Sequence, residues 1–261
     1  MNAIENVYID LKKRTRLRFT FLVFCYWLKH LFKSPLNARG VHLITGYPGS
    51  GKTLLMNMII QRYCKKNEFY YSNKKQFDDY KTININILDL FENGTQVKSL
   101  PKYQFINGIK HKCRGLIFDE INGSFNRRMN RTSSYNNIFV GLMQLVVTHR
   151  HQDIPRIYFL GQFYDFQDTQ LQTAIKYRHD LNSKIRANYA LYKETGKIIY
   201  TPKKLKIEHN IKGLDYDSKG QPVYIPYKKS RLKVKLNDLK SYNHLGFANE
   251  FINLPAITPL K

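Results

Sequence analysis

The chain has 261 residues, of which 43% are hydrophobic and 14% aromatic, a composition that excludes a disordered protein and fits one main core. Its 43 Lys and Arg residues against 19 Asp and Glu residues give a formal net charge of +24. Self-repulsion makes such an excess unfavourable unless an anion is near, so nucleic acid or an anionic membrane surface is expected, with a solvated basic face as the alternative. Neither the three cysteines nor the eight histidines have the spacing of a zinc site or a disulfide framework.

Residues 1–37 are predicted to form a basic, amphipathic N-terminal segment. A cluster of Lys and Arg at 12–18 precedes an apolar run at 19–28, and Ser34-Pro35 marks the break before the core. The apolar run is too short to cross a hydrocarbon core of about 30 Å, and no signal-peptide cleavage site follows it. Two interpretations stay open: the segment lies in a membrane interface, or it packs on the core or on a neighbouring subunit.

The sequence at 46–53 matches the phosphate-binding loop pattern G-x-x-x-x-G-K-T, between a predicted strand at 41–45 and a predicted helix from 54. Glycines let such a loop curl so that its N–H groups face a phosphate chain. We expect Lys52 to contact the β- and γ-phosphates of ATP and the Thr53 hydroxyl to hold Mg²⁺. The predicted nucleotide-binding residues are Gly46, Tyr47, Pro48, Gly49, Ser50, Gly51, Lys52 and Thr53.

A second apolar run, at 115–118, ends in the acidic pair Asp119 and Glu120. Buried parallel strands have continuous apolar sequences, and ligands bind at their carboxyl ends. We expect Asp119 to position Mg²⁺ and Glu120 to activate the attacking water. The phosphate loop upstream favours this catalytic interpretation over an ordinary strand followed by an acidic turn.

The other core elements are predicted to alternate strand and helix up to residue 182. The patterns indicate a strand at 68–73, an irregular polar stretch at 74–112, a helix at 137–149, a strand at 156–162 and a helix from Asp165 through 174–178. Around a phosphate loop, this alternation predicts an α/β fold for residues 38–182: a P-loop nucleoside triphosphatase core with a mostly parallel sheet flanked by helices.

Residues 183–261 are predicted to form a small, β-rich C-terminal appendage that is basic and rich in tyrosine. Turns are expected at 217–222, with short strands at 223–227 and 232–236. Lysines interleaved with tyrosines fit a nucleic-acid groove, where cations bind phosphates and rings stack on bases. The alternative is an edge hairpin whose lysines block sheet-to-sheet aggregation.

Two further candidates flank the predicted strand at 156–162. Gln162 lies at its carboxyl end, where a polar side chain can contact the γ-phosphate or the attacking water. Arg150 precedes the strand and could reach a nucleotide held by the next subunit, stabilising charge in the transition state. A strand-end residue bonded to a loop and a plain surface arginine are the alternatives. We interpret the neighbouring His149 and His151 as structural, because no third metal ligand of suitable spacing is visible.

Together these motifs resemble the zonular occludens toxin-like family of filamentous-phage assembly ATPases, which is similar in turn to the FtsK–HerA group of DNA-pumping ATPases. The resemblance covers about residues 40–180. It rests on 46–53, the strand ending in Asn73, 117–120, His149-Arg150-His151, and Gln162 followed by Asp165. It implies an ATP- and Mg²⁺-dependent, membrane-associated multimer that drives the extrusion of single-stranded phage DNA while coat protein assembles on it.

The chain departs from that family at its ends. Family members commonly carry a transmembrane helix, and no apolar run after residue 180 is long enough to span a bilayer. We therefore expect a protein in the host cytoplasm, peripheral to the inner face of the cell membrane through residues 1–37. Its expected partners are DNA, phage coat or assembly proteins and further copies of itself.

Two rival functions remain open at the level of sequence. A small-molecule phosphotransferase of the nucleotide-kinase type also needs the phosphate loop, but it needs neither the charge of +24 nor the pair Asp119–Glu120. A membrane-docked DNA-binding scaffold, ordered by nucleotide, has no use for a water-activating carboxylate at Glu120.

Overall fold

The computed structural model describes residues 34–73, 81–86, 90–92, 95–96, 100–119, 133–149, 151–162, 169–187, 189, 192–193, 196, 200–218, 220, 222–235 and 238. The chain divides into two units between Ala38 and Arg39, and the elements below belong to the second unit, apart from a short 3₁₀ helix at Pro35–Asn37. The division into segments 1–37, 38–182 and 183–261 stays a prediction.

The helices and strands of the described residues run in the following order. The helices are α1 (Lys52–Tyr63), α2 (Ser133–Thr148) and α3 (Thr169–Ala174). The strands are β1 (Gly40–Gly46), β2 (Glu68–Ser72), β3 (Thr82–Asn84), β4 (Phe91–Glu92), β5 (Thr95–Gln96), β6 (Tyr103–Ile106), β7 (Ile109–Phe118), β8 (Arg156–Gly161), β9 (Tyr177–Leu181), β10 (Ile185–Ala187), β11 (Tyr200–Pro202), β12 (Lys204–Tyr216) and β13 (Pro222–Lys233).

Nine of the described strands form one sheet in the order β13-β12-β9-β1-β8-β7-β2-β3, with β6 paired to β7. β1 pairs in parallel with β8 and β9, and β7 pairs in parallel with β8 and β2. β12 joins β9 in antiparallel orientation and β13 continues from β12, so the C-terminal strands extend the central sheet. The mixed α/β fold with a mostly parallel sheet is therefore confirmed.

The central strands β1 and β8 are buried along nearly their whole length, as expected for largely apolar strands in a parallel sheet. Every residue of β8 is buried, and only the last residue of β1 is partly exposed. Gly115 lets β7 and β8 approach closely, because a Cβ at this position would lie 2.6 Å from the carbonyl oxygen of Arg156. One face of these strands packs with α2 and α3 in a core that includes Val41, Phe118 and Leu142.

Two local predictions near the core are wrong. Residues 177–178 were expected at the end of a helix, yet α3 ends at Ala174 and β9 begins at Tyr177, which pairs with His42 of β1. Pairing with a distant strand overrides the local helix pattern. The stretch 74–112 was expected to be irregular, yet it contains β3 and the hairpin of β6 and β7.

The sequence of the turn explains the hairpin of β6 and β7. Asn107 and Gly108 have φ values of 50° and 74°, the left-handed pair that a tight hairpin turn requires. At the C-terminal end, the two predicted short strands at 223–227 and 232–236 are instead one strand, β13, which pairs along β12 with a register shift after His209.

Three buried histidines form a hydrogen-bonded chain across neighbouring strands. His42 Nδ1 lies 3.0 Å from His179 Nε2, and His179 Nδ1 lies 2.9 Å from His209 Nδ1. His209 Nε2 lies 2.7 Å from Ser230 Oγ, which ends the chain on β13. Burial lowers the pKa of His179 well below its ordinary value and lowers the pKa of His209 to about 4. The rings of His179 and His209 are therefore neutral at pH 7, and each can donate at one nitrogen and accept at the other.

We expect the free energy of unfolding to decrease as the pH falls from about 6.5 toward 4. In this window His209 binds a proton in the unfolded chain but not in the folded one. This difference lowers the free energy of unfolding by up to about 1.4 kcal/mol for each pH unit. His209→Gln keeps a hydrogen-bonding side chain and removes the titration, so urea unfolding should show a shallower pH slope. His151→Gln, at an exposed histidine, is the control and should keep the original slope. Equal slopes in all three proteins would contradict this explanation.

Candidate nucleotide-binding site

The loop at 46–51 connects the end of β1 to the start of α1. Gly49 and Gly51 have φ values of 75° and 93°, which other residues rarely adopt. Gly51 caps α1 without a side-chain hydrogen bond, so the first N–H groups of the helix can serve a ligand held in the loop. Gly51 also lies against β12, because a Cβ there would come within 2.8 Å of Leu205 Cδ2.

The Ser50 side chain has the properties of a ligand-binding group. Its hydroxyl is buried and has no hydrogen-bond partner among the residues that the structure describes. Buried polar groups are nearly always paired, so an unpaired one needs an explanation. The hydroxyl packs against Gly46, where a Cβ would lie only 2.5 Å from Ser50 Oγ. A glycine-lined loop with an unpaired hydroxyl fits a phosphate group.

The phosphate-loop motif at 46–53 and the apolar run that ends in Asp119 lie in contact in the structure. Lys52 Nζ donates to the carbonyl oxygens of Gly46 at 2.9 Å and Tyr47 at 3.2 Å, which holds the ammonium group at the loop. Thr53 Oγ1 donates to Asp119 Oδ2 at 3.2 Å. A hydroxyl and a carboxylate oxygen at one point form the kind of ligand set that Mg²⁺ prefers. The residues therefore fit a nucleotide with its divalent cation.

Asn73 fixes the backbone at Asp119. The Asp119 N–H donates to Asn73 Oδ1 at 2.8 Å, and Asn73 Nδ2 donates to the Asp119 carbonyl oxygen at 3.1 Å. Asn73 follows β2 and Asp119 follows β7, and these parallel neighbours end at the same edge of the sheet. Asp119 is only 4% exposed, so its orientation is set by the protein rather than by water.

Gln162 lies where the sequence places it, directly after β8. Its backbone carbonyl accepts a hydrogen bond from the Gly46 N–H at 3.4 Å, and its side chain is exposed. A contact with the γ-phosphate stays a prediction. Glu120, Arg150 and Asp165 lie outside the described residues, as do residues 1–33 and 127–131.

A polar cluster beside the loop was missed by sequence reasoning. Thr45, the residue before the loop, donates a hydrogen bond to Asp180 of β9. Asp180 also accepts from Arg178 Nε, at 2.9–3.0 Å, and from Asn210 Nδ2, at 2.8 Å. The sequence offered little signal for this cluster, because a helix was predicted from Asp165 to 178 and the strand β9 that carries Asp180 was not predicted. The cluster ties the start of the loop to β9 and β12.

The two histidines beside Arg150 have different surroundings. His149 Nδ1 lies 2.6 Å from the Val146 carbonyl oxygen at the end of α2, and His151 is exposed. Within the described ranges, no group of three His, Cys, Asp or Glu side chains could hold a metal ion. Over the same ranges, every helix is too short or too polar to cross a membrane.

No family model matches the chain. Among known sequences, it is 26% identical over 250 residues to an uncharacterized 37.2 kDa protein of Acholeplasma phage L2, covering 90% of this chain and 77% of the phage protein. Among solved structures, it is similar to the N-terminal domain of zonular occludens toxin from Neisseria meningitidis, with a TM-score of 0.45 and 18% identity, covering 79% of this chain and 100% of the toxin domain.

It is also similar to B204, the DNA-packaging ATPase from Sulfolobus Turreted Icosahedral Virus, with a TM-score of 0.35 and 12% identity, covering 76% of this chain and 99% of B204. The toxin domain belongs to the family that the sequence motifs resemble. Both structural likenesses are too distant to say anything about the activity of this chain, which is inferred below from its own residues.

Replacing Asn73 tests whether its two hydrogen bonds to the Asp119 backbone position that residue. Asn73→Ala removes both hydrogen bonds to the Asp119 backbone, so the free energy of unfolding should fall by about 1–3 kcal/mol. It should also raise the Mg²⁺ concentration needed for half-maximal nucleotide binding, measured with a fluorescent ATP analogue. Asn67→Ala, at an exposed asparagine, is the control. A loss of stability with an unchanged Mg²⁺ requirement would limit Asn73 to a structural role.

Proposed function

We propose that this protein is a Mg²⁺-dependent P-loop ATPase that couples ATP hydrolysis to the movement or packaging of single-stranded DNA during phage assembly or export. The observation that carries the proposal is the hydrogen bond between Thr53 and Asp119 at 3.2 Å, which joins two motifs 66 residues apart. With Lys52 held at the same loop, the phosphate-binding and cation-binding groups lie together.

ATP supplies the phosphoanhydride bond, and Mg²⁺ supplies positive charge against the phosphate oxygens. The loop N–H groups and Lys52 bind the phosphates. The oxygens of Thr53 and Asp119 would hold the cation, and Asn73 fixes the Asp119 backbone from which the carboxylate projects. Because these groups are positioned by strands and a helix, little reorganisation is needed when charge develops in the reaction.

Three further residues complete the proposed mechanism from their sequence positions. Glu120 holds the attacking water and accepts its proton. Gln162 contacts the γ-phosphate. Arg150 of one subunit stabilises charge at the nucleotide of the next, so one subunit alone has an incomplete site and the active form is an oligomer.

The proposal that DNA is the cargo is supported by charge and by relatives. A net charge of +24 favours a polyanion as partner. The sequence relative at 26% identity is a phage protein, and the motifs resemble those of filamentous-phage assembly ATPases. The proposed setting is the inner face of the host membrane, contacted through residues 1–37, with phage coat or assembly proteins as partners.

ATP turnover with and without circular single-stranded DNA, at one fixed moderate salt concentration, tests the function. We expect turnover to rise with DNA. Glu120→Gln should retain ATP binding and lose turnover by about 10²-fold or more, because it removes the base. Lys52→Ala should weaken ATP binding itself. ATP bound without turnover in the wild-type protein would favour the scaffold, and turnover only with a small-molecule acceptor would favour a phosphotransferase.

A mixing experiment tests the role of Arg150. Arg150→Ala should lower turnover of the assembled protein by about 10³-fold with ATP binding unchanged, as for other arginines acting across subunits. Mixing it with Lys52→Ala should restore part of the activity, since each variant supplies the group that the other lacks. Arg186→Ala, at an exposed arginine, is the control. Intact turnover in Arg150→Ala would refute the trans role.

A further inference from the structure

One face of the β12–β13 hairpin carries rows of exposed cations. The register pairs Lys204 with Lys233, Lys206 with Arg231, and Glu208 with Lys229. Directly opposed residues, and alternate residues along a strand, point to the same face of a sheet. We name the five exposed cations on this face the basic ladder: Lys204, Lys206, Lys229, Arg231 and Lys233.

The charges of the basic ladder are poorly compensated within the hairpin. Like charges directly opposite each other destabilise a strand pair, and both Lys204–Lys233 and Lys206–Arg231 are such pairs. The acid on the same face, Glu208, lies 3.4 Å from Lys229, but these side chains are 41% and 78% exposed, so the pair contributes little. An arrangement that costs stability in the free protein points to a bound polyanion.

Protection of the sheet edge does not explain the whole ladder. Lysines on an exposed edge strand prevent pairing with other chains, and β13 lies at one end of the strand order of this sheet. Lys204 and Lys206, however, belong to β12, which lies between β9 and β13. Cations on this interior strand require another reason.

The ladder begins at the end of the sheet where β1 leads into the nucleotide-binding loop. Because β12 runs antiparallel to β9, Ile207 pairs with Leu181, and Leu181 pairs with Gly46 at the start of the loop. The Asn182 N–H donates to the Lys206 carbonyl oxygen at 3.0 Å, which fixes this end of β12 to β9. A polymer bound to the ladder would therefore lie beside the ATP site.

We propose that the basic ladder binds the phosphate backbone of single-stranded DNA, a step that rests on the proposed function. Alternate residues along a strand are about 6.8 Å apart, so the rows form an extended cationic track rather than a pocket for a single anion. The six side chains of the three pairs that contain the ladder are all charged, whereas a membrane-binding surface needs apolar groups to insert beside its cations. Because the cations meet phosphates, the binding is independent of sequence.

Two variants with the same reduction in charge test the ladder in the full chain without ATP. The ladder variant carries Lys204→Gln, Lys206→Gln, Arg231→Gln and Lys233→Gln. The control carries the same number of changes at exposed lysines elsewhere, Lys65→Gln, Lys66→Gln, Lys110→Gln and Lys112→Gln. Binding to a fluorescent poly-thymidine strand is measured by anisotropy over about 50–200 mM salt.

We expect the ladder variant to bind at least about tenfold more weakly, with the salt slope reduced by about 0.7 for each phosphate that the ladder no longer neutralises. The control should keep a slope close to the wild type. Glu208→Gln should change the DNA affinity in the opposite direction. It removes the acid from this face, so the affinity should rise. Misfolding could lower the affinity but would not raise it, so this gain distinguishes the role of the ladder charges from an effect of misfolding.

Three results would overturn the proposal. Equal weakening in the ladder and control variants would show that only bulk charge matters. A ladder variant that keeps DNA binding but no longer binds phosphatidylserine vesicles would assign the surface to a membrane. Absence of DNA binding in the wild type would show that DNA is not the ligand of the ladder.

Ladder-dependent DNA binding without ATP turnover would instead refute the proposed ATPase activity and support the proposed role of the ladder.

Discussion

The parallel pairing of β1, β8, β7 and β2 is the constraint on which the candidate site depends. It brings the residues after each of these strands to one edge, where Thr53, Asp119 and Asn73 meet. A single hydrogen bond contributes only about 1 kcal/mol net, too little to hold a loop, a helix and a strand end together. The geometry of the site is therefore a product of the buried apolar strands, and the polar contacts refine the orientation of groups already placed.

The same sheet shows how the chain accommodates its excess of positive charge. In the central strands, for example, His179 is neutral and Arg114 is compensated by Glu68 at 2.8 Å. Exposed cations that are poorly compensated among the described residues lie on the β12–β13 hairpin, where water screens them and desolvation is small. Charge that would destabilise the core is thus placed where it can serve binding.

The locally encoded parts of the site could be predicted from the sequence, and the parts made by strand pairing could not. The loop at 46–53 and the run ending in Asp119 are continuous motifs, and the hydrogen bond from Thr53 to Asp119 joins them in the structure. The bonds of Asn73 to Asp119 and of Thr45 to Asp180 join residues 46 and 135 positions apart. Such contacts depend on the register of distant strands, which hydrophobic periodicity does not reveal.

The loop at 46–51 packs directly against the start of β12. A Cβ on Gly51 would lie 2.8 Å from Leu205 and 3.3 Å from Pro202, so the loop packs against the first residues of β12 and those just before it. Thr45 reaches Asp180, and Asp180 reaches Asn210 of the same strand. Close-packed interiors transmit small displacements rather than absorb them. A displacement of the loop therefore has two short routes to β12, one through packing and one through hydrogen bonds, and both end on the strand that carries Lys204 and Lys206.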